Sequence, residues 1–268
     1  LNVELQASII ATRHDGMGLS AMFGNAKLAD AIISWVKEVV ANASSKGVVF
    51  GLSGGIDSSV VAVLCKRACP ESSLGVIMPC HSNETDREHA ELVAKKFQIP
   101  FAVVVLDSVF DALVKAFPVL REHDDSVARL ALANIKPRLR MVTLYYFANR
   151  LGYLVVGSSN RSELSVGYFT KYGDGGVDIM PLGNLVKSQV RDLAKYLGIP
   201  QVIIDKPPSA GLWEGQTDEV ELGVTYHQLD RYLTNGQAEG EIKDKIDSMI
   251  AKSAHKRSLP LLPPFWTG

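Results

Sequence analysis

The chain has 268 residues, a formal net charge of −1, 47% hydrophobic residues and 21% charged residues, the balance of a soluble globular protein. That excludes global disorder and the large basic excess of a typical nucleic-acid binder, and it allows one sizeable core. No apolar run approaches the ~20 residues of a membrane helix, and the start, Leu1-Asn2-Val3-Glu4, lacks the basic and apolar stretches of a secretory leader. Cys65, Cys69 and Cys80 are sparse and odd in number, so a reducing, cytoplasmic setting is expected rather than a disulfide framework.

Residues 1–24 show weak periodicity and several glycines, and are expected to form an irregular arm before a single domain over 25–268. From 26 to 43, Leu28, Ile32, Trp35, Val36 and Val39 recur at helical spacing. Short apolar runs follow at 47–52, 74–78, 101–106 and 153–156. They are continuous rather than alternating, as in strands buried on both faces of a parallel sheet. Helices are predicted between them over 57–68, 84–97 and 127–150. This rhythm predicts an α/β fold, an open parallel sheet of Rossmann-like type with helices on both faces. Ligands of such sheets bind beyond the carboxyl ends of the strands. The last hundred residues are richer in turn signals, such as Gly173-Asp174-Gly175-Gly176 and Pro207-Pro208. Further helices are predicted over 189–197, 224–232 and 242–251.

The loop after the first strand carries the clearest chemistry. Gly51-Leu52-Ser53-Gly54-Gly55-Ile56-Asp57-Ser58-Ser59 joins a strand to a helix. Adjacent glycines let backbone N–H groups turn inward, and the new helix adds its positive end, so the loop suits phosphate. Asp57 would repel bare phosphate and is better used to hold a divalent cation. The competing reading is an ordinary helix start capped by Asp57 or Ser58. No Lys-Ser/Thr pair follows the glycines, so this is not a Walker A loop, and the spacing is not that of a dinucleotide fingerprint.

The string Ser53-Gly54-Gly55-Ile56-Asp57-Ser58 resembles the pyrophosphate loop of the N-type ATP pyrophosphatases, enzymes of the adenine nucleotide alpha hydrolase-like fold that split ATP into AMP and pyrophosphate. A second block follows the fourth strand. It contains Gly157-Ser158-Ser159-Asn160-Arg161-Ser162-Glu163 and Gly167-Tyr168-Phe169-Thr170-Lys171-Tyr172-Gly173-Asp174-Gly175-Gly176-Val177-Asp178, and leads to Lys187. This block resembles the ammonia-dependent NAD synthetases. So do Asn134-Ile135-Lys136-Pro137-Arg138-Leu139-Arg140-Met141, the segment from Lys206 to Glu219, and His255-Lys256-Arg257. Pro137 departs from the alanine common in that family and leaves the Arg138 assignment less direct.

The resemblance implies a reaction: deamido-NAD(+), ATP and ammonia give NAD(+), AMP and pyrophosphate with Mg2+. It also implies a homodimer with the deamido-NAD(+) site at the subunit interface. It assigns ATP to Gly51, Leu52, Ser53, Gly54, Gly55, Ile56, Asp57, Ser58, Ser158, Lys187 and Ser209. It assigns deamido-NAD(+) to Arg138, Lys171, Asp178, His255 and Lys256, and Mg2+ to Asp57 and Glu163. Lys187 and Asp178 are the catalytic candidates; Asp178 either contacts the dinucleotide or orients ammonia. Nothing in the sequence resembles a glutaminase domain, so free ammonia is the expected nitrogen donor. Cys65 and Cys69, four apart on one helix, are expected in the core, and Tyr145-Tyr146-Phe147 reads as packing.

Overall fold

The computed structural model describes residues 19–118, 125–209, 211, 213 and 215–262. The four apolar runs become β1 (Gly47–Gly51), β2 (Ser73–Ile77), β3 (Phe101–Val103) and β4 (Tyr153–Val156). All are parallel, in the order β3-β2-β1-β4. The chain builds outward from β1 through β2 to β3, then returns to add β4 on the other side of β1. That reversal creates a crevice between the carboxyl ends of β1 and β4, the place where open α/β sheets hold ligands.

The pleat of β1 divides its side chains between two cores. Val48 and Phe50 pack with α1 (Leu19–Asn42), α2 (Ile56–Ala68) and α8 (Lys187–Leu197) through Val36, Leu64, Val190 and Leu193. Val49 faces the other way, with Val76 and Val155, onto Leu144 and Ala148 of α6 (Ile135–Leu151). Burying each such side chain stabilises the fold by about 1.5–3 kcal/mol relative to exposure. Cys65 lies in the first core with no exposed surface and Cys69 nearly so, as expected. Tyr145 and Phe147 pack against the second, while Tyr146 is exposed.

A third, smaller core gathers Val166 of α7 (Arg161–Val166), Leu222 of α10 (Asp218–Leu222), Leu229 of α11 (Tyr226–Asn235) and Ile246 of α12 (Gly240–Lys252). It holds the carboxyl-terminal helices against the segment that follows β4.

Three expectations about elements need correction. Residues 1–18 of the expected arm lie outside the described residues, but helix already begins at Leu19 and runs on across a non-helical Gly24 (φ 69°, ψ 151°). The helix expected over 127–150 is two, α5 (Asp125–Ala133) and α6, meeting at Asn134. Pro137 explains the restart: it lacks an N–H and is tolerated only in a helix's first turn, where none is needed. The run 101–106 is strand only to Val103, and Asp107–Ala116 is a further helix, α4, absent from the expected elements. β3 is an edge strand, so nothing beyond it extends the pairing. Helix α3 (Glu84–Lys96) matches expectation, with Asn83 capping the Thr85 N–H.

Candidate active site

The crevice opens into a cleft of about 1110 Å³ lined by the loop after β1, the loops after β2 and β4, and the segment from Lys206 to Asp218. Residues 210, 212 and 214 of that segment lie outside the described residues.

The loop after β1 is shaped by its glycines and serines. Gly54 has φ +76°, and a Cβ there would sit 2.2 Å from the Asp86 carbonyl oxygen of α3. Only glycine fits both the left-handed backbone and the close approach. The turn therefore presses α3 with Gly54 and turns its other residues, Gly51, Leu52, Ser53, Gly55, Ile56, Asp57 and Ser58, to the cleft. The serines lock the curl: Ser53 Oγ and Ser58 Oγ lie 2.9 Å apart, Ser58 Oγ donates to Gly55 O (3.0 Å), and Ser59 Oγ donates to the same oxygen (2.7 Å). Helix α2 starts at Ile56 after Gly55, an N-cap residue that supplies no side-chain cap, against the reading of Asp57 or Ser58 as a cap. Its first N–H groups have no helical acceptor by geometry and lie at the cleft.

Asp57, Glu163 and Lys187, remote in sequence, meet at the floor of the cleft. Lys187 Nζ donates to Asp57 Oδ2 at 2.5 Å and to Glu163 Oε1 at 3.2 Å, and the lysine is 2% exposed. Each member is aimed by a different device. Asp57 is in the first turn of α2, and its second oxygen accepts from Asn160 Nδ2 (2.9 Å). Glu163 closes a capping box at the start of α7: its backbone N–H donates to Asn160 Oδ1 (3.1 Å), and its Oε2 accepts from the Asn160 N–H (3.2 Å). Lys187 opens α8, whose first N–H groups are capped from α11. Asp230 accepts from the Lys187 N–H (3.3 Å) and the Ser188 N–H (2.7 Å), and Ser162 Oγ donates to it (2.6 Å).

A chain of hydrogen bonds, buried at Tyr226 and Asp218 and reaching the surface at Glu221, backs this cluster. Tyr226 OH donates to Asp218 Oδ2 (2.9 Å) and lies 3.4 Å from Glu163 Oε1, while Tyr168 OH reaches Asp218 Oδ1 (3.1 Å) and Glu221 Oε2 (2.8 Å). The Tyr226 ring also lies under the Lys187 ammonium, 4.9 Å from its centroid. Burial pushes Glu163 up to about 7, opposed by Lys187 and assisted by Asp57. Burial alone would pull Lys187 down, but Asp57 and Glu163 outweigh it and hold the ammonium charged. Asp218 is raised by burial, and both tyrosines are held well above their ordinary value by burial and these carboxylates. The result is a fixed cation between two carboxylates, next to the glycine- and serine-rich loop after β1.

Ser158, Ser209 and Lys256 also line the cleft. Lys256 Nζ donates to the carbonyls of Gly167 and Phe169, both at 2.8 Å. Arg138, Lys171 and His255 do not line it; they form a separate chain. Arg138 donates to Lys171 O (3.3 Å) and Lys171 Nζ to His255 O (2.6 Å), with Arg138 and His255 exposed. Asp178 is also outside the cleft lining. Its carboxylate accepts from the β4 Val155 N–H (2.7 Å) and from Tyr145 OH (2.9 Å), whose phenol is pushed up to about 12 by burial and by Asp178. Asp178 thus ties the segment beside β4, where Ile179 bridges to Val156, to helix α6.

Sequence reasoning missed Asn160, Asp218, Tyr226 and Asp230. Asn160 was legible, since Asn-x-x-Glu is the spacing of a capping box. The other three carry no local signal.

The NAD synthase family profile matches residues 28–260. The NH(3)-dependent NAD(+) synthetase of Carboxydothermus hydrogenoformans is 52% identical over 232 residues, covering 87% of this chain and 95% of the relative. Among solved structures, an NMN synthetase from Francisella tularensis superposes with a TM-score of 0.84 at 36% identity, over 91% of this chain and 100% of that one. An NH3-dependent NAD synthetase from Campylobacter jejuni gives 0.74 at 30% identity, over 89% and 99%. With a glycine- and serine-rich loop at the switch point and a carboxylate–lysine floor beneath it, the chain belongs to the NAD synthase family.

Proposed function

We propose that the cleft amidates the nicotinate carboxylate of deamido-NAD(+) with ammonia, consuming ATP and releasing NAD(+), AMP and pyrophosphate. The observation that carries this reading is the junction of the uncapped α2 start with the buried Asp57–Lys187–Glu163 cluster. A carboxylate is a poor electrophile, and ammonia displaces nothing from it. Transfer of the adenylyl group to the carboxylate oxygen provides a leaving group, AMP. The protein must then hold the pyrophosphate, align the two reactants and keep water from the acyl-adenylate. The loop Gly51–Ser58 holds pyrophosphate through backbone N–H groups and serine hydroxyls, with Ser158 and Ser209 on the walls. Lys187 neutralises phosphate charge from the floor.

The residues fit Mg2+. Asp57 and Glu163 bring carboxylate oxygens together where Lys187 Nζ now bridges them; Mg2+ uses one or two carboxylates with the rest of its shell from water and phosphate, and would take these two with the ammonium turned toward the phosphates. Once bound there, Mg2+ supplies charge neutralisation to the phosphates.

Arg138, Lys171, Asp178, His255 and Lys256 are assigned to the dinucleotide across a homodimer interface. Arg138, Val142 and Tyr146 fall at i, i+4 and i+8 of α6, and all three are exposed. Val109, Leu113, Val127 and Leu130 on α4 and α5 are exposed as well. Exposed apolar side chains on these helices support an interaction face, with Arg138 on the same helix stripe as Val142 and Tyr146. Asp178 is kept as a dinucleotide contact or an ammonia-orienting group. No helix among the described residues is long and apolar enough to cross a membrane, and three free cysteines favour the cytoplasm.

The test is NAD(+) formation from deamido-NAD(+) and ATP, run with ammonium and with glutamine. Ammonium alone is expected to support it, and ATP is consumed only with the acyl substrate present. Activity with neither donor rejects the reading. The likeness to an NMN synthetase favours a second acyl substrate, nicotinate mononucleotide, which bears the same carboxylate. Including it as a competing substrate in the same assay ranks the two.

A further inference from the structure

The arginines and lysines of the cleft are almost all neutralised. Lys187 pairs with Asp57 and Glu163, Lys206 with Asp86, and Arg87 with Glu84 and Glu91. Lys256 commits its ammonium to two carbonyls. Arg140 is different. It lines the cleft from α6 and makes two hydrogen bonds, Nε to Met78 O at 3.1 Å and Nη2 to Ser82 Oγ at 3.2 Å. Among the described residues it forms no ion pair. Burial disfavours its charge, with only through-space help from groups such as Asp174 and Asp86. A guanidinium has five N–H donors and stays charged in proteins, so a site that half-buries one without a carboxylate is incomplete until an anion arrives.

We propose that Arg140 binds the α-phosphate of ATP, the group that becomes the phosphate of the AMP leaving group. Its anchors belong to the loop after β2, the strand beside β1. The two loops abut, because a Cβ on Gly51 would lie 3.4 Å from Met78 Cε. A nucleotide with its terminal phosphates in the Gly51–Ser58 loop and its base toward the β2 loop carries its α-phosphate past this guanidinium. The planar fork matches two phosphate oxygens at once. Negative charge on those oxygens grows as the acyl–phosphate bond breaks, so the contact strengthens where catalysis needs it.

This rests on the ATP assignment above, and the two fail separately. Loss of that reading shows in the wild-type enzyme as no NAD(+) formation; this inference is read in binding. Adenosine, AMP and pyrophosphate are titrated by calorimetry against the wild-type protein, Arg140→Gln and Arg140→Lys, with melting curves to confirm folding. Loss of one charged hydrogen-bonding group predicts AMP affinity lower by roughly 10–150-fold in R140Q, with adenosine and pyrophosphate within about twofold, a margin worth only ~0.4 kcal/mol. Arg140→Lys, which keeps the charge but not the fork, loses less, and it carries the test alone if R140Q fails to fold. Equal losses for adenosine and AMP mean that Arg140 only braces the β2 loop, and overturn the proposal. So does unchanged AMP affinity, a loss shared by pyrophosphate, or a defect confined to the KM for deamido-NAD(+).

Discussion

The loop after β1 and the charged floor beneath it are neighbours in the cleft, yet they are built in opposite ways. The loop Gly51–Ser58 is local: its shape follows from a left-handed Gly54 and from serines bonding carbonyls within five residues. The floor is global: Asp57, Glu163 and Lys187 come from three helices, and Asp57 and Lys187 are 130 positions apart. A local site is held by backbone sterics and depends little on distant packing. A global one holds buried charges together only because several helix starts are fixed by partners such as Asn160 and Asp230. Buried charges are tolerable while paired and become a liability when one partner is removed.

Lys187→Met tests the global half and should have the largest effect. It leaves Asp57 and Glu163 buried side by side without their cation. Breaking a buried ion pair this way is expected to lower stability by about 3–5 kcal/mol, and losing a preorganised charge in the site to reduce turnover by roughly 10²–10³-fold. Denaturant melts and NAD(+) formation measure the two. Wild-type stability in this variant would mean that the pair does not hold the floor together.

Gly54→Ala tests the local half. The left-handed backbone disfavours a side chain by about 1–2 kcal/mol, and crowding against Asp86 O adds about 1–3 kcal/mol. Pyrophosphate affinity should fall with stability, because the curl of the loop itself is disturbed. If thermal melting is unchanged, the close approach to α3 is not what shapes the turn.

The smallest effect sharpens the comparison through pH. Glu163 has a folded-state value pushed up to about 7 from an ordinary 4.5. A carboxylate raised by folding binds more protons folded than unfolded, so its contribution falls as pH rises. Unfolding free energy of the metal-free wild type should decline relative to Glu163→Gln between about pH 4.5 and 7, then run parallel above, since the group titrates between its two values. The slope cannot exceed the one-proton limit of about 1.4 kcal/mol per pH unit. A rising difference over that window would reverse the assignment of burial as the dominant cause.

Much of the fold was legible because its signals are local. Continuous apolar runs marked all four strands, since strands buried on both faces need no polar side. The tight turn between β1 and α2 was legible in Ser53, Gly54, Gly55 and Ser58. Helix boundaries were less legible where one residue overrides periodicity, as Pro137 does at the start of α6. Helix α4 escaped notice because none of its residues is buried, so core-facing periodicity had nothing to report. In the site, Glu163 and Lys187 stood out only through a resemblance. Asp178 was read toward ligand, and the structure shows its carboxylate bonded to the Val155 N–H and the Tyr145 hydroxyl.

By itself, then, the sequence determined the parallel sheet, the glycine-rich turn and the family, since backbone geometry and apolar runs are written in adjacent residues. Only the tertiary structure decided that Lys187 lies between Asp57 and Glu163, that Asp218 and Tyr226 stand behind them, and that Arg140 meets the cleft without a carboxylate partner among the described residues. The physical reason is range. A turn is set by neighbours along the chain, whereas the charge state of a buried group is set by whatever folding brings within a few ångströms, and no spacing in the sequence records that.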